Sequence, residues 1–502
     1  MSKSNGDMTI GKFIMELNSQ EETMSNITNN NLIITEENRQ AFDLINQGCN
    51  VFIHGKPGTG KTTFIEQAVD MLREQGKNVI LLAPTGVAAR HLKGQTLHSY
   101  FRLNPKNIYA DLTPDMRRQL YRKFNAADVF VIDEISMVRA DMFDRISDLL
   151  RGVLRSGSAF AGKQIILVGD LYQLPPVVKQ QLTGVNVQTQ RDLADKPLEQ
   201  VMQDDEGDVL AEEVLVQDEL FKECYEGPYV FYANCYKQLD FKHIIFTQVF
   251  RQKDIEFVEH LSSLLTSDKE RVARAVVYFN KRVQEPKEQA ICLCARRADA
   301  EQINQSALDK LSGEEVQIFA RHSVLNPNDW KEKNCPAPLC LRLKVGAKVM
   351  MLVNKTPLVN GSLGEVVGFD RDKNAEVESI RISTEFGNIN IKRHEWYKVT
   401  TNSQGKQIDD PTRFFHQFPL QLAWAVTVHK AQGMTFDSCV VNFGEKGAFC
   451  AGQAYVALSR VRTIEGLFLK APISEADLIF DERVEEFYHS LHTKKESVSI
   501  GE

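Results

Sequence analysis

The sequence predicts an α/β protein of two doubly wound parallel sheets, with a small β-barrel set into the second. Three observations predict it. Short runs rich in Val and Ile recur at wide spacing and are apolar on both faces, the pattern of strands buried in a parallel sheet. Helical patterns lie between some of these runs, and strand–helix alternation builds doubly wound sheets. From about residue 343 to 415 the texture changes to short strands and turns.

The elements follow in order. Residues 1–30 are polar, rich in Ser and Asn and weakly periodic, and predict a disordered tail. Thr35-Glu36-Glu37 leads into Ala41, Phe42, Leu44 and Ile45, which predicts a helix capped by Thr35. Strands are expected at 50–54, 78–83, 128–132 and 164–168, with a helix over 62–75. Past an acidic stretch the grammar restarts, with strands at 242–246, 290–295 and 437–443 and helices at 255–265 and 298–311. Strands at 347–353, 364–369, 380–384 and 389–392, with turns at Asn360-Gly361 and Gly387-Asn388, form the inserted β-region. The expected boundaries are a tail over 1–30, a first α/β half over 31–228, and a second over 229–342 and 416–480. That second half is interrupted by 343–415, and a C-terminal tail covers 481–502.

Composition narrows the function. The 502 residues are 43% hydrophobic and 25% charged, which excludes collagen, coiled coil and wholesale disorder. No apolar run approaches the roughly 18 residues of a membrane helix, so no span is expected. The first residues lack an apolar core behind a basic start, and Asp7, Glu16, Glu21 and Glu22 precede any arginine, so neither a secretory signal nor a transit peptide is expected. Nine cysteines are scattered, and neither Cys292/Cys294 nor Cys335/Cys340 has a zinc spacing. Reduced thiols are expected. Net charge is −7, which looks wrong for a nucleic-acid binder. However, residues 192–223 hold twelve acidic and two basic residues, a net −10, so the rest of the chain is +3. Local patches therefore decide binding, not total charge.

Chemistry-bearing motifs stand at the ends of the apolar runs. Gly55-Lys56-Pro57-Gly58-Thr59-Gly60-Lys61-Thr62 fits G-x-x-x-x-G-K-[ST] between a strand and a helix, with Thr63 following. Its glycines let backbone N–H groups face phosphate oxygens, and the helix start adds partial positive charge. Lys61 would reach the β/γ-phosphates and Thr62 would sit on Mg²⁺. Val129–Ile132 ends in Asp133 and Glu134, where open α/β sheets bind ligands. Asp133 would hold Mg²⁺ and Glu134 would orient or deprotonate water. Gln173, in Gly169-Asp170-Leu171-Tyr172-Gln173-Leu174-Pro175-Pro176, would contact the γ-phosphate or the water. Arg251 and Arg460, from the second half, would place positive charge on the transition state.

The motif order then becomes recognisable. The phosphate loop precedes Ala83-Pro84-Thr85-Gly86-Val87-Ala88-Ala89, Gly94-Gln95-Thr96-Leu97-His98-Ser99 and Asp133-Glu134-Ile135-Ser136-Met137-Val138. Then come Gly169–Pro176, Phe250-Arg251-Gln252, Thr427-Val428-His429-Lys430-Ala431-Gln432-Gly433 and Leu458-Ser459-Arg460. Over about residues 31–470 this resembles a superfamily 1B DNA helicase, closest to the petite-integration-frequency (PIF-type) family. Residues 133–151 look like that family's signature.

The resemblance implies two RecA-like P-loop NTPase domains. A small wedge would lie at about 101–124, an acidic insert at about 178–228, and an SH3-like barrel at 343–415. It implies ATP-dependent 5′→3′ translocation on single-stranded DNA and unwinding of forked or partial-duplex DNA, with ATP and Mg²⁺ as cofactors. A monomer in the cytoplasm, associated with the nucleoid, is expected, with no membrane contact and no protein partner specified. Thr85, Gly86, His98, His429 and Lys430 fall in motifs that lie along DNA in that family. Tyr100 and Phe101 suit core packing first and base stacking second. Asn38 stands where the family has a glutamine for the adenine edge, so it is the candidate adenine contact, with a shorter reach. The rivals are a RecD-like helicase subunit of a recombination nuclease and a nucleotide-switched DNA-binding protein that does not translocate. RNA stays open as a substrate.

Overall fold

The computed structural model describes residues 35–103, 114–176, 225–252, 254–285, 290–323, 330, 335–358, 360–401 and 407–499. The expected N-terminal tail, most of the expected acidic insert and residues 104–113 of the expected wedge lie outside these residues.

The first sheet has six strands: β1 (Val51–Gly55), β2 (Val79–Ala83), β3 (Gln95–Thr96), β4 (Val129–Ile132), β5 (Gln164–Gly169) and β6 (Lys242–Phe246). Their order is β3-β2-β4-β5-β1-β6, and every neighbouring pair is parallel. Both faces are buried because alternate residues feed separate cores. Val51 and Ile53 pack with Phe64, Ile65 and Val69 of the helix Lys61–Glu74. Phe52 packs on the opposite face with Phe143 and Ile146 of the helix Ala140–Leu154. β5 separates β1 from β4, so the phosphate loop, the paired acids and the Gly169–Pro176 turn all emerge at one carboxyl edge.

Three boundaries need correction. The strand 242–246, expected to open the second half, pairs with β1 from Val51↔Lys242 to Gly55↔Phe246. Its apolar run marks a buried parallel strand without saying which sheet it enters. Packing decides that: the Phe246 ring meets Phe64 at 5.2 Å, edge to face. The first half therefore reaches residue 246. The expected tail over 481–502 contains the helix Glu482–Ser499, whose Val484, Phe487 and Tyr488 dock on the first half's core. The i, i+3, i+4 spacing puts these three on one face.

The second sheet is β7 (Ile291–Cys294), β8 (Ala425–Thr427), β9 (Cys439–Asn442) and β10 (Leu467–Leu469), ordered β8-β7-β9-β10 and all parallel. The helices Ile255–Ser263, Lys269–Asn280, Arg297–Lys310 and Gln453–Leu458 accompany it. Between β7 and β8 the chain makes a five-stranded antiparallel sheet with Lys348–Met351, Leu363–Arg371, Val377–Thr384 and Gly387–Lys392, closed at one edge by Leu420–Leu422. A hairpin of Val316–Phe319 with Cys340–Leu343 and a ribbon of His394–Thr401 with Gln407–Gln417 flank it. The insert thus spans 316–422, wider than the expected 343–415. Among the described residues no ladder closes these strands into one barrel. In the stretch expected to form a wedge, Leu120 and Phe124 of the helix Pro114–Ala126 bury against the first core. No described helix is long and apolar enough to cross a membrane.

Candidate active site between the two halves

The phosphate loop follows β1. Gly58 and Gly60 have φ of +82° and +79°, a region that disfavours any residue with a Cβ. A Cβ on Gly58 would also stand 2.4 Å from Arg251 Cβ. The Phe250 N–H donates to the Gly58 carbonyl at 2.8 Å, so the arginine-bearing segment lies directly on the loop. Thr59 is buried, and its hydroxyl donates to the Lys56 carbonyl at 2.9 Å. Lys61 opens the following helix. Its ammonium donates to the Gly55 and Lys56 carbonyls at 2.5 and 3.0 Å. Thr62 is exposed and Thr63 half-buried.

Three carboxyls face that lysine. Asp133 and Glu134 follow β4, and Glu134 adopts a left-handed φ of +50°. Asp170 follows β5 and is 2% exposed. Burial raises all three; Glu134 is pushed up to about 7, with Asp133 adding repulsion. Burial lowers Lys61 in turn, while Asp170, Glu134 and Asp133 pull it back up. A chain of hydrogen bonds joins the halves. Gln432 Nε2 donates to Glu134 Oε2 at 3.0 Å and to Gln173 Oε1 at 3.2 Å. Gln173 Nε2 donates to Asp170 Oδ2 at 3.3 Å, and the Tyr455 hydroxyl donates to the same oxygen at 3.4 Å.

Arg460 comes from the second half as expected, whereas Arg251 stands just past β6 on the segment leaving the first half, against the phosphate loop. Arg251 donates to the Ser459 carbonyl at 3.4 Å, and Gln252 donates to the Ser459 and Val461 carbonyls at 3.1 and 3.0 Å. Arg460 is 1% exposed. Its guanidinium is held by the Val456 carbonyl at 2.7 Å, the Ser459 hydroxyl at 2.7 Å, and the Ala431 and Met434 carbonyls at 3.4 and 3.3 Å. Burial, then Arg251, lowers Arg460 to about 9, while Tyr455 and Glu134 oppose the fall.

The structure therefore gathers Lys61, Asp133, Glu134, Gln173, Arg251 and Arg460. The DNA candidates follow other strands. Thr85 follows β2, where its hydroxyl accepts the Ala88 N–H at 3.2 Å, and Gly86 beside it is exposed. His98 lies after β3, half-buried, and burial lowers it. His429 lies after β8, its ring nearly parallel to Phe449 at 6.2 Å, and Lys430 is exposed. Tyr100 and Phe101 are fully buried, packed with Phe124 and Phe130, so they are core. The Thr35 cap is present, with a partner the spacing hid. Asn38 Oδ1 accepts the Thr35 N–H at 3.1 Å while Thr35 Oγ1 accepts the Asn38 N–H at 3.3 Å. The capping box engages the oxygen of the amide expected at the adenine edge.

Asp170, Gln252, Gln432 and Tyr455 had no role assigned from sequence. Asp170 ends an apolar strand just as Asp133 does, which was a usable signal. Gln432 lies in the quoted motif Thr427–Gly433, which was its signal, while Tyr455 gave none, since its partner Asp170 lies in the other half.

The donor set suits a phosphate-bound divalent cation. Three carboxyls, one of them fully buried, outnumber the lysine among them, and one carboxylate plus one hydroxyl is the sparse protein ligation Mg²⁺ takes beside phosphates.

Residues 33–191 match the family described as PIF1-like helicase, and residues 332–369 match DNA helicase Pif1, 2B domain. The human ATP-dependent DNA helicase PIF1 is 29% identical over 441 residues, covering 86% of this chain and 60% of that protein. The chain spans about three-fifths of the length of the curated relatives it first matches. Bacteroides sp Pif1 in complex with ADP-AlF4 is 31% identical with a TM-score of 0.72, covering 92% of this chain and 98% of that one. Bacteroides Pif1 bound to ssDNA is 30% identical with a TM-score of 0.60, covering 93% and 98%. With that identity over nearly the whole of a solved relative, and with the phosphate loop, paired acids and both arginines at one cleft, the chain belongs to the PIF1-like helicase family.

Proposed function

We propose that this chain is an ATP-dependent DNA helicase that translocates 5′→3′ on single-stranded DNA and separates forked or partial duplexes. The observation that carries the reading is Gln432, a residue of the second half, donating to both Glu134 and Gln173 of the first. A hydrolytic site shared by two halves responds to their closure, and that couples chemistry to motion. The likeness to a relative solved with ssDNA and to another solved with ADP-AlF4 supports the same reading.

Each residue then has a task. Lys61 leaves the loop carbonyls for the β/γ-phosphates of ATP, beside the N–H groups of Gly58, Thr59, Gly60, Thr62 and Thr63. Thr62 and Asp133 would hold Mg²⁺, which offsets phosphate charge when bound. Glu134 orients the attacking water and takes its proton; Gln173 holds the γ-phosphate side. Arg251 and Arg460 stabilise charge on the transition state, Arg460 by exchanging carbonyl partners for phosphate oxygens. Thr85, Gly86, His98, His429 and Lys430 grip DNA phosphates without reading sequence. Asn38 faces the adenine edge with its Nδ2 and the second lone pair of its oxygen, the first lone pair serving the cap.

The test is ATP turnover by wild type and Lys61→Ala, with and without single-stranded DNA or RNA. Strong stimulation by DNA and its loss in Lys61→Ala are expected, followed by unwinding of 5′-tailed but not 3′-tailed duplexes. Equal, slow turnover with and without DNA would replace the motor with a nucleotide switch. Unwinding from 3′ tails would reverse the polarity.

A further inference from the structure

We propose that the C-terminal helix Glu482–Ser499 is a strap that sets the Gly169–Pro176 turn against the phosphate-loop strand. Tyr488 is its positioning residue and Glu485 its anchor on the second half. The inference rests on the hydrolytic reading above and deepens it.

One phenol touches both strands that carry the site. The Tyr488 hydroxyl lies 3.2 Å from His54 Nδ1, and His54 immediately precedes Gly55 on β1. The same hydroxyl faces the Leu171 N–H, just past β5. Its ring stacks on Tyr172 with centroids 5.0 Å apart and planes 16° from parallel. Leu171 and Tyr172 lie between Asp170 and Gln173, the two turn residues of the hydrogen-bond chain. His54 is a firm support, fully buried, stacked on Phe52 at 3.7 Å and with its Nε2 2.9 Å from His243 Nδ1.

The helix is held from both sides. Val484 is 1% exposed within the first core, and Phe487 stacks on Phe231 at 4.3 Å. Asp481 accepts the Tyr229 hydroxyl at 2.9 Å. Toward the second half, Glu485 Oε1 accepts the Thr266 hydroxyl at 3.2 Å and the Ser267 N–H at 3.5 Å, and the Ile479 carbonyl accepts the Gly452 N–H at 3.2 Å. Gly452 leaves no slack: a Cβ there would stand 2.4 Å from the Tyr172 carbonyl oxygen. A cavity of only about 20 Å³ remains between Tyr172, Tyr229, Gly452 and Tyr455. Movement of the second half is therefore passed to the turn by contact, through a segment outside every motif in the sequence.

Hydrogen–deuterium exchange on Tyr488→Phe and Tyr488→Leu tests the strap without relying on turnover. Faster exchange is expected at 165–176 in both variants, larger in Tyr488→Leu, with exchange in β7–β10 unchanged. In DNA-stimulated hydrolysis, Tyr488→Phe is expected to lower kcat about tenfold, the scale of one oriented buried hydrogen bond. The KM for ATP should move less than about twofold and melting should hardly change, a split that general destabilisation does not produce. Glu485→Ala, which removes the acceptor for Thr266 and Ser267, is expected to leave DNA-free turnover unchanged and to weaken stimulation by DNA. Unchanged exchange at 165–176 in both Tyr488 variants overturns the strap whatever the turnover. Absence of ATP hydrolysis by wild type sinks the hydrolytic reading instead, while the exchange result still decides the strap.

Discussion

Burial sets the working state of Glu134. Its carboxyl is pushed up to about 7, first by desolvation and then by Asp133. A base takes a proton only when ionised, so kcat/KM for ATP is expected to rise through about pH 7 and level off above it. The slope below that should be about tenfold per unit. Glu134→Gln is expected to abolish this limb and to lower kcat by about 10²–10⁴-fold, read from pH–rate profiles of both proteins. Stability runs the other way. A carboxyl raised from 4.5 to about 7 on folding binds its proton more tightly in the folded state. Its contribution therefore grows as pH falls from about 7 toward 4.5 and is absent above, and Glu134→Gln should flatten that dependence in urea titrations. Glu134 was legible because it ends an apolar strand behind Asp133. Gln432 was not legible as its partner, since 298 residues separate the two in the chain. Only the meeting of the halves makes that contact, and no local pattern records it.

Elements were read well where one periodicity settles them and poorly where a choice of partner does. Val51–Gly55, Val79–Ala83 and Val129–Ile132 are strands because no other element buries so short an apolar run on both faces. Lys242–Phe246 has the same texture, but its place beside β1 depends on Phe64 and Phe246, far apart in sequence. The helix after Asp481 was missed although Val484, Phe487, Tyr488 and Leu491 stand at i, i+3, i+4 and i+7, a stripe the sequence does carry. Two substitutions test element-scale packing. Tyr100 is fully buried in the wedge-side core, and its hydroxyl has no hydrogen-bond partner among the described residues. Tyr100→Phe keeps the rings that meet Phe101, Phe124 and Phe130 and removes that stranded oxygen. It is expected to raise stability by about 1 kcal/mol, seen as a higher urea midpoint at unchanged slope. Gly58→Ala is expected to do the opposite at the loop. The left-handed φ costs about 1–2 kcal/mol in any L-residue, and the new methyl must displace Arg251, so ATP affinity should fall together with melting temperature.

At the scale of the whole molecule, charge hides the partner. The chain is −7, yet residues 192–223 alone carry −10, leaving +3 for everything else. That segment lies outside the described residues, so electrostatics rather than contacts must say what it does. Blocks of like charge are usually solvated, and their field is screened within about 8 Å at physiological salt. Deleting 192–223 is therefore expected to change single-stranded DNA affinity less than about twofold near 0.15 M salt. At about 0.01 M salt, where the screening length reaches roughly 30 Å, the deletion should tighten binding several-fold. The slope of log affinity against log salt near 0.15 M should be the same in both proteins, because it counts the phosphates that cationic groups neutralise. Anisotropy titrations of one labelled oligonucleotide across that salt range make the comparison. Binding tightened tenfold at 0.15 M would place the segment within a screening length of the strand, and the acidic stretch would then be a barrier that keeps DNA off one surface of the motor.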